Sequence, residues 1–194
     1  MSHIKMIVGL GNPTLKYHHT RHNLGAWYVK LFSQIKNIQF QEKKSFYGNI
    51  SIYKLQNISI KIFIPNVFMN YSGISIFSVS SFYNIRLNEI LVIHDDLDLP
   101  PGVIKLKYGY GHNGHNGLRN IISKFGMNRE KFCRIRIGIG RPNCLSQIRS
   151  FVLSSPTIFE RNIIFKVINY VINDIDILIN NKKYFITSKL YHVD

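Results

Sequence analysis

Ile90-Leu91-Val92-Ile93-His94-Asp95-Asp96 is the stretch that decides the fold. Four consecutive apolar residues without polar alternation predict a central strand covered on both faces, as in α/β sheets. Polar residues follow the run at once. Two other apolar runs end in the same way. Ile4 to Leu10 reads as a buried strand closing in the turn Gly9-Leu10-Gly11-Asn12-Pro13, and Ile58 to Ile64 reads as a strand stopping at Pro65, just ahead of Asn66 and Asn70. If these strands are parallel, Asn12, Asn70 and the His94-Asp95 pair share the carboxyl edge of one sheet, where open α/β sheets bind ligands.

The flanking pattern alternates strand with helix. Leu24, Trp27, Tyr28, Leu31 and Ile35 recur at helical spacing, with Asn23 able to cap their helix. Phe46 to Tyr53 alternates as a strand does. A helix starting near Asn70 to Ser72 is expected to turn Ile74, Phe77 and Phe82 inward. After the Leu99-Pro100-Pro101-Gly102 turn, Val103 to Tyr108 reads as a strand and Gly109 to Gly117 as a glycine-rich loop. Asn116 sits in that loop at the start of a helix marked by Leu118, Ile121, Ile122 and Phe125, with Gly126 as its stop. Arg134 to Ile139 alternates strictly and predicts another strand. Beyond Pro156 one long helix carries Ile164, Val167, Ile168, Val171, Ile175 and Leu178 on a stripe, and the last dozen residues fit no single pattern. With no internal repeat, residues 1–194 read as one α/β domain, a three-layer sandwich whose mixed, largely parallel central sheet is flanked by helices. Residues 156–194 form its C-terminal helical region.

Composition narrows the function. The chain of 194 residues is 45% hydrophobic, which argues against disorder and is enough for one full core. Its formal net charge is +15, a balance that attracts polyanions, nucleic acid first. Ala26 is the only alanine, and Ile, Asn and Lys are abundant, which reads as drift toward AT-rich codons. Drift toward lysine does not explain the segment Lys105 to Arg149, where ten basic residues face one acid, Glu130, and arginine outnumbers lysine. No apolar run reaches the length of a membrane span, and Cys133 and Cys144 suit a reducing cytoplasm. No disulfide is expected.

The chemistry centres on Thr20-Arg21-His22-Asn23, because histidine exchanges a proton near neutral pH. Each candidate has a plain structural reading when taken singly. Asn70 and Asn116 suit helix caps, Asn12 before Pro13 suits a turn, and Asp95, Asp96 and Asp98 suit a solvated acidic loop. Gly9-Leu10-Gly11 falls short of a dinucleotide fingerprint, since Thr14 replaces the third glycine and no acid follows about 20 residues on. His18, His19 and His22 with Asp95 imply no ligand geometry for a metal. Ser72 lacks the strand-to-helix setting of a serine nucleophile.

The motifs together are specific. Val8-Gly9-Leu10-Gly11-Asn12-Pro13, Tyr17 and Thr20-Arg21-His22-Asn23-Leu24-Gly25 come first. Pro65-Asn66-Val67-Phe68-Met69-Asn70-Tyr71-Ser72-Gly73 and His94-Asp95-Asp96-Leu97-Asp98-Leu99-Pro100-Pro101-Gly102 follow, then Gly114-His115-Asn116-Gly117-Leu118-Arg119, and last Arg134 to Pro142. In this order and spacing they resemble the bacterial-type peptidyl-tRNA hydrolase family from about residue 4 to residue 153. Three departures stand out: tyrosines at 108 and 110 in the glycine-rich loop, a connection about one residue longer at Met127 to Lys131, and a divergent C-terminal helix.

The resemblance implies hydrolysis of the ester between peptide and tRNA, recycling tRNA from aborted translation. It implies His22 as general base, Asp95 holding its ring, and Asn12, Asn70 and Asn116 orienting substrate and water. It further implies substrate contacts from Tyr17, Asn23, Phe68, Met69 and His115. Lys105, Lys107 and Arg136 would meet tRNA phosphate, and the loops at Gly109 to Gly114 and Asn143 to Phe151 would gate the site. No metal, organic cofactor, membrane or obligate protein partner is expected, and the chain is expected to act as a cytoplasmic monomer. Since relatives of such enzymes include RNA-binding proteins, a binding module without hydrolysis is the competing reading.

Overall fold

The three apolar runs become three neighbouring parallel strands in a computed structural model that describes residues 3–126 and 130–193. The strands are β1 (Met6–Gly9), β2 (Gln41–Lys43), β3 (Gly48–Leu55), β4 (Ile58–Pro65), β5 (Ile90–Asp96), β6 (Val103–Gly109), β7 (Phe132–Gly138) and β8 (Leu190–His192). The helices are α1 (Leu24–Ile35), α2 (Ser72–Phe82), α3 (Asn116–Lys124), α4 (Ile148–Val152), α5 (Ile158–Asn173), α6 (Ile175–Asn180) and α7 (Lys183–Ile186). The sheet order is β2-β3-β4-β1-β5-β7-β6-β8. Its centre, β4-β1-β5-β7, is parallel, and both flanks are antiparallel. The mixed, largely parallel sheet of a three-layer α/β fold is therefore observed.

Side-chain alternation along β5 divides the core. Leu91 and Ile93 pack with α1, α5, α6 and α7 on one face, while Ile90 and Val92 pack with α2 and α3 on the other. β5 also continues past Ile93: His94 pairs in register with Arg136 and Asp95 with Ile137, because β7 runs on beside it. The polar residues expected after the strand are thus its last turn-in to the loop. Among the described residues, no helix is long and apolar enough to cross a membrane.

Two helices differ from the sequence expectation. On α2 the buried residues are Ser72, Gly73, Ser75, Ile76, Val79 and Ser80, while Ile74, Phe77 and Phe82 are exposed. Close contact with α3 is the reason. A Cβ at Gly73 would lie 2.3 Å from the Asn120 carbonyl oxygen, so no side chain fits at that point of contact. Buried serines bond backbone oxygens, Ser72 to Met69 and Ser75 to Phe46, each at 2.8 Å. The long C-terminal helix breaks at Asp174 into α5 and α6, although every residue of its expected stripe is buried. The Asp174 carboxylate accepts from Lys189 (3.0 Å) and Tyr191 (2.7 Å), which fastens β8 to the break. The expected lengthening near Met127 falls on residues 127–129, outside the described residues.

Glycines bring α1 down onto the strand ends. A Cβ at Gly25 would sit 2.2 Å from the Ile93 carbonyl oxygen and 2.6 Å from the Leu10 nitrogen. Ala26 N–H donates to the Leu10 carbonyl at 2.9 Å and Leu10 N–H to the Ile93 carbonyl at 3.0 Å. The residues just before α1 are thereby pressed against the end of β5. Gly25→Ala must push this backbone apart, and we expect it to cost roughly 1–3 kcal/mol by urea denaturation, as overpacking does. The turn of residues 21–23 should shift with it, moving residue 22 away from residue 95.

Candidate active site

Three turns meet above β1, β4 and β5 and lock one another. Asn12 N–H donates to Asn23 Oδ1, and Asn23 Nδ2 donates back to the Asn12 carbonyl, both at 2.9 Å. Asn12 Oδ1 accepts the Met69 N–H at 2.9 Å, which joins the β1 turn to the β4 turn. With its oxygen taken, Asn12 has its NH2 left for the cleft it lines. Asn23 corrects one expectation. It is 3% exposed and its amide is spent on the Asn12 backbone, so its side chain makes no cap bond to α1 and shapes the turn instead.

Alternation along β5 delivers the acid. Asp95 is buried and accepts from two imidazoles: His22 Nδ1 lies 3.0 Å from each carboxylate oxygen, and His115 Nε2 lies 3.1 Å from Oδ1. His115 is the N-cap of α3, and its Nδ1 accepts from the Gly117 N–H (3.1 Å) and the Leu118 N–H (3.3 Å). That sets the tautomer, because a ring nitrogen accepting from backbone cannot carry the proton. The His115 proton is on Nε2 and points to Asp95. Burial works against a charged Asp95, but His22 and His115 outweigh it by charge and hydrogen bonding and hold the carboxyl far below its ordinary range. An ionised Asp95 in turn accepts the hydrogen bond of His22 Nδ1–H, leaving His22 Nε2 as the unprotonated nitrogen on the cleft side.

His22, 8% exposed, is shifted as well. Burial disfavours its imidazolium, yet the charge and hydrogen bond of Asp95 raise its pKa above the ordinary 6.5. His94 behaves in the opposite way. It donates Nδ1–H to the Asp95 carbonyl at 2.7 Å, and burial next to His115 pushes its pKa down to about 3, so it stays neutral.

The cleft around these groups measures about 1200 Å³. Asn70 and Asn116 both line it and both are exposed. Neither caps a helix with its side chain, since His115 caps α3 and α2 has no side-chain cap. Asn116 Oδ1 accepts from Arg119 at 3.4 Å, which again leaves an NH2 for the cleft. Tyr17, Phe68, Met69 and His115 also line it, with Phe68 half exposed and Met69 buried.

The far wall is basic. Antiparallel pairing sets Lys105 opposite Arg136 and Lys107 opposite Arg134. All four share the sheet face on which α2 and α3 lie, at its uncovered end. Lys107 and Arg136 reach the cleft, whereas Lys105 stands outside its wall. Burial, then repulsion by Arg134 and Arg136, lowers the Lys107 pKa; burial and Arg136 lower that of Arg134 to about 10. Such crowding of like charge favours an anion.

Some functional groups escaped the sequence reading. Asp96 is buried and pairs with Arg136 at 2.6 Å, so this acid is no solvated loop residue. Arg134 is 3% exposed and donates to the carbonyls of Gly111 (2.8 Å) and Tyr110 (3.0 Å), holding the glycine-rich loop. The strict alternation of β7 was its signal, since it puts Arg134 and Arg136 on one face. Ligand-type atoms of His22, Asp95 and His115 lie within 4.8 Å of one another, but the protons of the two imidazole–carboxylate hydrogen bonds occupy that space. His18 is turned to the Pro13 carbonyl (3.1 Å) and stays apart from the cluster.

Comparison with known proteins follows the same lines. The family model described as peptidyl-tRNA hydrolase matches residues 6–192. A peptidyl-tRNA hydrolase of Buchnera aphidicola subsp. Acyrthosiphon pisum (strain 5A) is 52% identical over 167 residues, covering 86% of this chain and 94% of that protein. One from Serratia proteamaculans (strain 568) is 45% identical over 181 residues, covering 93% and 92%. The crystal structure of peptidyl-tRNA hydrolase from Acinetobacter baumannii superimposes with a TM-score of 0.87 at 35% identity, covering 94% of this chain and 93% of that one.

The geometry has a pH signature. In an NMR titration, His22 should titrate above 6.5, and Asp95→Asn should drop it below that value, because burial then acts unopposed. The sign for stability follows: the stabilisation from the His22–Asp95 pair is full below the unfolded-state pKa and is lost as pH rises through the folded-state value.

Proposed function

The chain belongs to the peptidyl-tRNA hydrolase family and is a hydrolase, and from that premise we propose that His22 is the general base with which it cleaves the ester between peptide and tRNA. The supporting observation is the one-sided hydrogen bonding of His22: Nδ1 is held by Asp95 at 3.0 Å and Nε2 is left to the cleft. Nε2 takes a proton from water, and the oxygen attacks the ester carbonyl. Asp95 fixes the tautomer and stabilises the imidazolium as it forms. The amide NH2 groups of Asn12, Asn70 and Asn116 donate to the developing oxyanion and to the peptide backbone. An alkoxide leaving group needs no second strong acid, because the imidazolium returns its proton to the ribose oxygen.

Backbone recognition by amides suits a substrate whose peptide varies. Lys107 and Arg136 bind a phosphate of the acceptor end, Arg136 with its fork steadied by Asp96. Lys105 and the remaining bases add sequence-independent attraction. Tyr17, Phe68, Met69 and His115 form the cleft wall beside the peptide. The protein acts as a monomer in the cytoplasm, where its substrate arises, and residues 1–194 work as one domain without a protein partner.

Hydrolysis of an N-blocked aminoacyl-tRNA tests the reading. His22→Ala should lower kcat by about 10²–10⁴-fold, with wild-type turnover unaffected by a chelator. Wild-type protein that binds tRNA yet releases no peptide would replace this reading with that of a binding module. Lys107→Ala should raise KM, leave kcat near wild type and flatten the salt dependence by about one phosphate contact.

A further inference from the structure

Arg21 precedes the base, carries a charge, and is only 6% exposed. Its guanidinium leaves the cleft side and reaches the junction of α4 and α5. One Nη1 donates to Ser154 Oγ (2.8 Å) and to the Ser155 carbonyl (2.7 Å), and Nη2 pairs with Glu160 Oε2 at 2.8 Å. The ring of Phe151, on α4, lies 4.3 Å under the guanidinium carbon. The Arg21 backbone N–H adds a bond to the Ser154 carbonyl at 3.0 Å. Glu160 is committed on the other side as well, since the same Oε2 accepts the Thr157 N–H at 2.7 Å and closes the capping box of α5.

α4 needs such an anchor. It is five residues long and none of them is buried. A helix this short has little stability of its own, and its only packing on the core comes from the partly buried Phe151 and Val152. Yet Ile148, Arg149, Val152 and Leu153 form one wall of the cleft. We infer that Arg21 is a positioning residue that clamps α4 to the turn carrying His22, so that the wall of the cleft and the base keep a fixed relation while substrate binds.

The clamp acts on binding more than on the proton transfer. His22 is held by Asp95 from the opposite side, and Asn23 is held by Asn12, so the catalytic turn keeps two anchors without the Arg21 side chain. α4 keeps less without it: the Arg21 backbone bond to Ser154 and the partial packing of Phe151 and Val152 remain, while among the described residues the other side-chain bonds of this segment, Ser150 to Gln147 and Ser154 to Phe151, are internal to it. The inference rests on the peptidyl-tRNA reading for its substrate, but its readout is separate from that of His22→Ala.

The test compares Arg21→Ala, Arg21→Lys, Phe151→Leu and Ser154→Ala in steady-state hydrolysis of an N-blocked aminoacyl-tRNA. Arg21→Ala should raise KM about tenfold or more and change kcat by less than about threefold, the pattern of lost uniform binding. Arg21→Lys restores the charge without the fork and should recover only part of the loss. Phe151→Leu and Ser154→Ala keep the arginine and should each raise KM less; they carry the test if Arg21→Ala loses its fold. The pH midpoint of kcat should match wild type in every folded variant. Amide hydrogen exchange should speed up at 148–155 and stay unchanged in β1 and β5. Unchanged KM in the folded variants would overturn the inference. So would a fall in kcat with a shifted pH midpoint, since Arg21 would then act on His22 itself.

Discussion

The structure depends on one buried carboxylate. Removing Asp95 from water is costly unless its charge is met, and here two imidazole N–H groups meet it from different elements. The depressed pKa of Asp95 is the sum of that compensation, since burial alone would raise it. The main elements of the site are placed to bring those donors in. β5 runs on past its apolar stretch to carry residue 95, glycines at 9 and 25 let α1 settle on the strand ends, and His115 starts α3 above the acid.

A chain of directed hydrogen bonds follows from this arrangement. Backbone N–H groups at the start of α3 point at His115 Nδ1, His115 points its proton at Asp95, and Asp95 accepts the hydrogen bond of His22 Nδ1–H. Each link leaves the next group only one tautomer. The free lone pair on His22 Nε2 is therefore tied to the start of α3 through His115 and Asp95. A carboxylate alone could hold the His22 ring, but with one donor it would bear more of its desolvation uncompensated. His115 serves as that second donor, and its position as a helix cap keeps it in place.

The sequence was legible where one physical rule acted alone. Ile90 to Ile93 and Ile4 to Leu10 read as buried strands and Ile58 to Ile64 as an alternating one, and their parallel order puts Asn12, Asn70 and Asp95 on one edge. Periodicity failed on α2 because a tight helix–helix contact demanded Ser72, Gly73 and Ser75 inside, which sent Ile74 and Phe77 to solvent. On β7 it set Arg134 beside Arg136 but could not show that Arg134 is buried. A strand that alternates cation with isoleucine looks half exposed, and nothing local shows that loop carbonyls at 110 and 111 will cover the cation. Asn23 could be read as a cap or as a contact from its neighbours, but its true partner is 11 residues away. The break at Asp174 needed β8, a strand too short and polar to foresee.

The division of charge across the cleft explains how one titrating group can govern the chemistry. The amides of Asn12, Asn70 and Asn116 do not titrate, and His94 is kept neutral by burial. Lys107 is lowered and His22 raised, but lysine starts so much higher that the two do not cross near neutral pH. In the proposed mechanism, recognition by amides and phosphate contacts thus stays constant over the range in which His22 changes state. A wall rich in arginine and lysine would pull the base toward lower pKa if nothing stood between them. Asp95 beside His22, and Asp96 paired with Arg136, place negative charge on that path. Even in a chain with a net charge of +15, His22 can then stay near the value that its own carboxylate sets.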